Sequence, residues 1–426
     1  MSSDSAFIHN DAQPAEAVGG SSEPDLGALL LARMRAGGYV EGSIADATVR
    51  EAAIAAAAAD RRLGELAVGN GRTILVRGWL DGAAPNPDLH PSGPPRTLSP
   101  VANLVWSACL GAAWPDPVAR PYPGRAFSRS AIIATCVALE ADRNTVVTAL
   151  TSTLPAAGLI TLNGDRGVLG PAAAALPATV WSQLGRIHER LPRAMEANRS
   201  SNAAPHGERE SSTVRWVDAE APGPRTELDE TVRKIICALE TAEGPIRRAD
   251  LPMLADPAIR TAVEVTLSRC GRTLISVGSH SWVTGYPSAV AAALARDGFG
   301  ALQPTERAVL ALLLLHTVAI PRARGIHLDD TWSSKHPVQM ATLIANRTIK
   351  RTVAEAAIRG LRRAGFVANS KTGGYLPGPA MLRLTPTQRN LLWEDLIVLG
   401  RPNGYMARRI RQRRTSEPDQ KGQPPA

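Results

Sequence analysis

Six basic residues crowd one predicted helix of this chain. Arg347, Lys350 and Arg351 fall near its start and Arg359, Arg362 and Arg363 toward its end, with only Glu355 opposing them. Thr348 lies among the first three. Lys371 follows on the next turn of chain, and Arg408, Arg409, Arg411, Arg413 and Arg414 form a further basic run. Ammonium and guanidinium groups at this density suit contact with the phosphates of a polyanion, where affinity comes from counterion release. Side chains at the start of such a helix then read base edges. A sparser set is Arg143, Asn144, Thr145 and Thr148, with Arg166 on a later turn; Arg and Asn are competent base readers. Residues 303–414 hold 19 Lys+Arg against 6 Asp+Glu, whereas residues 1–302 hold 28 against 31. The net charge of +9 therefore concentrates at one end, where its field attracts polyanions.

Other chemistry finds little footing. His327, Asp329, Asp330 and His336 cluster in one stretch, but H-x-D-D without a helical i, i+4 histidine pair reads as a solvated loop rather than a metal site. Cys109, Cys136, Cys237 and Cys270 occur singly, without C-x-x-C spacing, and read as buried reduced thiols. Gly69-Asn70-Gly71 lacks the third glycine of a dinucleotide fingerprint. Neither a phosphate-binding G-x-x-x-x-G-K-[ST] nor a G-x-S-x-G elbow is present. The expectation is a protein without catalysis, cofactor or metal. No apolar run approaches the ~18 residues of a membrane span. The polar start lacks the basic-then-apolar order of a signal peptide. Both point to a cytoplasmic protein, and a DNA partner would make it nucleoid-associated.

The elements that would position these residues are spelled twice. Ala157-Gly158-Leu159-Ile160 leads to Gly167-Val168-Leu169 and Gly170-Pro171-Ala172. Ala364-Gly365-Phe366-Val367 leads likewise to Gly374-Tyr375-Leu376 and, after one proline, Gly378-Pro379-Ala380. Each follows an amphipathic run ending in leucine, so each predicts helix, glycine stop, strand, hairpin, strand. Helices are predicted over 101–113, 128–139 and 143–157 in one unit, with a wing over 159–169 and a last helical turn distorted or broken at Pro155. A closing helix there carries Trp181. In the other, helices cover 305–320, 337–345 and 347–363, with Ile349, Val353, Ala357 and Leu361 inward, and the wing covers 365–376. Two weaker copies are read at 24–82 and 226–300. The former, alanine-rich with Arg72 and Arg77 near its hairpin, reads as packing or dimer surface. The latter has a nearly neutral third helix (Arg260, Glu264, Arg269). Residues 1–23 and a basic tail, 401–426, are expected to be disordered, and 192–225 a linker.

The overall expectation is a mainly α chain with small β-hairpin wings. Asp142-Arg143-Asn144-Thr145-Val146-Val147 through Leu150, Leu154 and Ala157–Ile160 resembles the winged helix-turn-helix superfamily of MarR/GntR-like kind. So does Asn346-Arg347-Thr348-Ile349 through Leu361 and Ala364–Val367. The resemblance implies tandem winged-helix domains at 96–191 and 303–400 that place a third helix and a wing on double-stranded DNA. Transcriptional control is the leading expectation. A plasmid or phage replication initiator is the alternative within nucleic-acid biology. A scaffold in a chromosome-organising or defence complex, gripping a second copy or another protein, is the alternative outside it.

Overall fold

The computed structural model describes residues 24–68, 72–79, 98–114, 124–174, 214–218, 226–242, 244–326, 332, 334–345 and 349–420. It is mainly helical with small antiparallel sheets. Among the described residues no helix is long and apolar enough to cross a membrane.

One order of elements recurs four times. A helix is followed by a short strand, one or two further helices, and a hairpin whose second strand pairs back with the first. The strands are β1 (Tyr39–Glu41), β2 (Arg61–Val68) and β3 (Arg72–Trp79); β4 (Phe127–Ser128), β5 (Ile160–Asn163) and β6 (Arg166–Leu169); and, beyond β7 (Arg215–Trp216), β8 (Ile246–Arg247), β9 (Thr273–Val277) and β10 (Ser281–Gly285). Their orders are β1-β3-β2-β7, β4-β6-β5 and β8-β10-β9. In the last unit β11 (Val367–Asn369) pairs with β12 (Tyr375–Pro377), and the first strand shrinks to a single bridge from Val338 to Tyr375.

The helix stops explain the spelling of the repeat. Gly158, Gly271 and Gly365 each take positive φ (68, 68 and 76°), which glycine adopts without strain. The next residue's N–H then turns back to a leucine carbonyl: Leu159 to Leu154 (3.0 Å), Arg272 to Leu267 (2.8 Å), Phe366 to Leu361 (2.9 Å). In the first unit Asp60 takes the same conformation (φ 55°), and its carboxylate accepts from Arg233 at 2.6 Å. The later glycines, Gly170 and Gly378, donate to Leu159 and Phe366 carbonyls, and a Cβ at either would collide with the carbonyl of Gly158 or Gly365.

Two helices carry the same device around a proline. A π turn at Ala149–Thr153 precedes Leu154–Ala156, and one at Leu315–Ala319 precedes Ile320–Ala323. Widening the helix accommodates Pro155 and Pro321 without breaking it. The Thr151 and Thr317 hydroxyls donate to the carbonyls of Val147 and Leu313, both at 2.8 Å. The distortion expected near Pro155 is present, and the helix continues through it.

The apolar cores do not map one to each unit. Residues 102–173 and 309–396 each enclose their own apolar cluster. The first and third units share one: Leu31, Met34, Ala52, Ala56 and Leu63 pack with Ile235, Ile236, Leu239, Val263 and Leu267. The small side chains of helix Asp46–Ala58 allow helix Pro257–Arg269 close approach, and the Cys270 thiol donates to the Ala55 carbonyl at 3.4 Å. The alanine-rich helix is thus packing surface within the chain. All four cysteines are buried and free, and burial pushes the Cys136 thiol up to about 12.

At the same junction Glu240 is the hub of an arginine cluster. Arg35 reaches it at 2.7 Å, Arg61 at 3.2 Å and Arg77 at 4.0 Å. Burial opposes its charge, but Arg35, Arg77 and Arg61 prevail and hold the carboxyl well below its usual range. Burial, with Arg77 beside it, draws Arg61 down to about 9. Removing one partner from a buried ion pair costs about 3–5 kcal/mol, so this cluster clamps the two units. Arg383 ties the last unit to them, donating to the carbonyls of Thr284 (3.1 Å) and Ala242 (2.9 Å).

The expected linker and the tail expected to be disordered both contain structure. Strand β7, inside the expected linker, extends the first sheet, and Arg62 stacks on Trp216 at 3.7 Å. The basic tail forms helix Tyr405–Gln420, which docks on helix Pro386–Gly400 through buried Ala407 and Ile410. Arg414 pairs there with Asp395 at 2.7 Å, and Arg413 with Glu394. Apolar anchoring and ion pairing order a segment that composition alone marks as free. Trp181 lies outside the described residues.

Candidate nucleic-acid interface

The last unit's third helix runs from Arg351 to Arg363. Ala354, Ala357, Ile358 and Leu361 face inward at i, i+3, i+4 and i+7, against Val309 and Leu313 of helix Pro304–Leu314. Two expectations are corrected here. Val353 is 38% exposed rather than inward, because the buried stripe runs through Ala354 and Ile358. The helix also starts later: Lys350 is its N-cap, with extended backbone (φ −65, ψ 145°), and Ile349 precedes it. Arg347 and Thr348 lie outside the described residues, as do His327, Asp329 and Asp330. The second helix is likewise shorter, Met340–Leu343.

The basic side chains of this helix and its hairpin point outward. Lys350, Arg351, Arg359, Arg362 and Arg363 are exposed, as is Lys371 at the hairpin tip. Arg351, 71% exposed, meets Glu355 at 2.9 Å. The side chains of Lys350, Arg359, Arg362, Arg363 and Lys371 have no ion-pair or hydrogen-bonding partner among the described residues. Arg408 and Arg409 are exposed and equally unengaged on helix Tyr405–Gln420, whereas Arg411 donates to the Pro402 carbonyl at 2.7 Å. Among the described residues no side chain caps the Arg351 helix. Two cations stand beside its first N–H groups, at the positive end of the helix dipole.

The 98–174 unit solves the same position differently. Asp142 caps helix Arg143–Thr148: the Thr145 N–H donates to it at 2.8 Å and the Thr145 hydroxyl at 2.7 Å. Those two bonds, the hydroxyl's first, hold the Asp142 carboxyl below its ordinary range. The Thr148 hydroxyl donates to the Asn144 carbonyl at 2.9 Å. Arg143, Asn144, Thr145, Thr148 and Arg166 are all exposed, but two of the five have spent their hydroxyl protons locally. The hairpin tip folds back as well. Asp165 accepts from the Ser128 hydroxyl at 2.6 Å and the Ser130 N–H at 2.8 Å, which lowers its pKa in that order of cause.

In the other two units the cations near the sheets are engaged, whereas Arg269 at the end of helix Pro257–Arg269 is exposed. Arg72 pairs with Glu41 at 2.7 Å, and Arg77 points to Glu240. Arg247 pairs with Asp250 at 2.9 Å, and Arg248 stacks on Trp282 at 4.5 Å. Sequence reasoning missed the roles of Asp142 and Asp165, which accept from the unit's own N–H and hydroxyl groups, although Asp142 three positions before Thr145 carries a cap signature. It also missed the uncharged outer residues of the Arg351 helix, Thr352 and Ala356, both exposed. Among the described residues no group of three or more His, Cys, Asp or Glu could hold a metal ion. Comparison with known families, curated proteins and solved structures returns no match.

Proposed function

We propose that this chain is a double-stranded DNA-binding protein of four winged-helix units, acting in transcriptional control. The last unit makes the main contact, with helix Arg351–Arg363 in the major groove, its hairpin beside the backbone and Arg408 and Arg409 on flanking phosphates. The observation that carries the reading is the set of exposed, unengaged cations on the start, outer face and hairpin of one unit. A solvated helix face with no partner has no need to leave its positive end uncapped and doubly basic. The fourfold element order, with the first strand paired to the third, supports the winged-helix assignment.

The test is duplex binding by fluorescence anisotropy across salt concentrations, for the full chain and for Arg347→Ala, Lys350→Ala, Arg351→Ala combined. Binding that weakens as salt rises, with the salt slope falling by about 1 per lost phosphate contact in the variant, supports the reading. Thermal stability should not fall, and should rise by at most about 1–2 kcal/mol, because exposed side chains contribute little and two cations leave the positive end of the helix dipole. A chain that binds no duplex at low salt, yet co-purifies stably with a protein partner, is a scaffold instead. Preference for iterated origin repeats over promoters moves the role to replication initiation.

A further inference from the structure

The residues of the Arg351 helix that protrude furthest carry no charge in its first half. The buried line is Ala354, Ala357, Ile358 and Leu361. At 3.6 residues per turn, the line opposite is Thr352, Ala356, Arg359 and Arg363, and all four are exposed. A recognition helix touches base edges with its N-terminal residues. Here those are Arg351, Thr352, Val353 and Ala356. Arg351 is engaged by Glu355 at 2.9 Å, and Lys350 lies on the cap, outside the helix. The helix contains no Asn or Gln, so the bidentate contact to adenine is absent from it. What it offers the base edges is methyl groups. In the major groove the complementary apolar feature is the 5-methyl of thymine, which Ala and Thr methyls contact. The short side chains also let the helix backbone come close, with Arg359 and Arg363 continuing the same line toward phosphates.

We propose that Thr352 and Ala356 are specificity-determining residues that select thymine through its 5-methyl group. The inference rests on the DNA-binding reading above and adds the base that it prefers. Removing one methyl contact weakens binding by about fourfold, the effect of one buried CH₂-sized group.

The experiment compares the full chain on two alternating copolymer duplexes, poly(dA-dT) and poly(dA-dU), which differ by that methyl alone. Wild type is expected to bind the thymine duplex about fourfold tighter for each methyl contacted. Thr352→Ser combined with Ala356→Gly is expected to bind both duplexes equally, while retaining salt-dependent affinity. Thr352→Val, which keeps the methyl and loses the hydroxyl, is expected to retain the preference. Equal binding of the two duplexes by wild type overturns the proposal and leaves the DNA-binding reading standing. A preference that survives in the double variant overturns the assignment to these residues. Failure to bind either copolymer at low salt overturns the DNA-binding reading and this proposal with it.

Discussion

The third helix of the 98–174 unit starts behind an aspartate, and its counterpart in the last unit starts behind a lysine. The two helices follow the same strand order and end in the same glycine stop. At their starts the electrostatics are opposite. Asp142 satisfies the Thr145 N–H and complements the positive end of the helix dipole, so the charge is settled within the chain. Lys350 accepts nothing, Arg351 adds a second cation, and each costs the helix about 0.3–1 kcal/mol. The third helix of the last unit is the less well capped of the two and the one with cations at its positive end. Sites that exchange stability for binding are expected where function lies.

The largest effect expected from breaking that contrast belongs to Lys350→Asp. Aspartate is a good N-cap and its charge suits the dipole, so the last unit should gain about 1 kcal/mol. Duplex affinity at low salt should fall at least tenfold, since a phosphate contact becomes a repulsion (about 1.4 kcal/mol per tenfold). Melting curves and anisotropy titrations on the same preparation check both. A variant that is more stable and binds DNA as tightly as wild type would remove Lys350 from the interface.

The same contrast shows what the sequence makes readable. Glycine stops are visible because positive φ at Gly158 and Gly365 restricts the residue type, and their repetition gives the hairpins. Asp60 hides the same stop, since aspartate tolerates that conformation and also serves elsewhere. The start of the Arg351 helix is poorly marked because no Ser, Thr, Asp or Asn stands at its cap. Placing the start too early then rotated the inferred inward face onto Val353. The shared core of the first and third units depends on contacts between residues distant in sequence, such as Ala55 with Cys270, which no local period encodes. The docked tail has only Ala407 and Ile410 as apolar anchors among arginines, too thin a stripe to register as a packed helix.

A smaller effect sharpens the other side of the comparison. Asp142→Ala should lower the melting temperature of the 98–174 unit at pH 7 by removing the cap. Because the Asp142 and Asp165 pKa values are depressed in the folded chain, their contribution is fully present above the ordinary carboxylate pKa of about 4. It is lost as pH falls through the lowered folded values. The deficit of the variant should therefore shrink in melts at about pH 3, where the wild-type cap is itself being protonated. An unchanged deficit at low pH would mean that packing, rather than the charged cap, sets the effect.

The smallest effect isolates Arg351. Its pair with Glu355 has the cation on the N-terminal side, the weaker orientation, and lies in solvent, so it contributes at most about 0.3–0.5 kcal/mol. Glu355→Gln keeps helix propensity and the acceptor oxygen while removing the one negative charge on this helix. Arg351 is then released toward phosphate, and a repulsion with the backbone disappears. Affinity for a duplex should rise about two- to threefold at low salt and converge on wild type as screening shortens the Debye length to about 3 Å at 1 M salt. Paired titrations at both salt concentrations read the difference directly. If affinity drops instead, the carboxylate is holding Arg351 in a reading position. The guanidinium then belongs on a guanine rather than on the backbone.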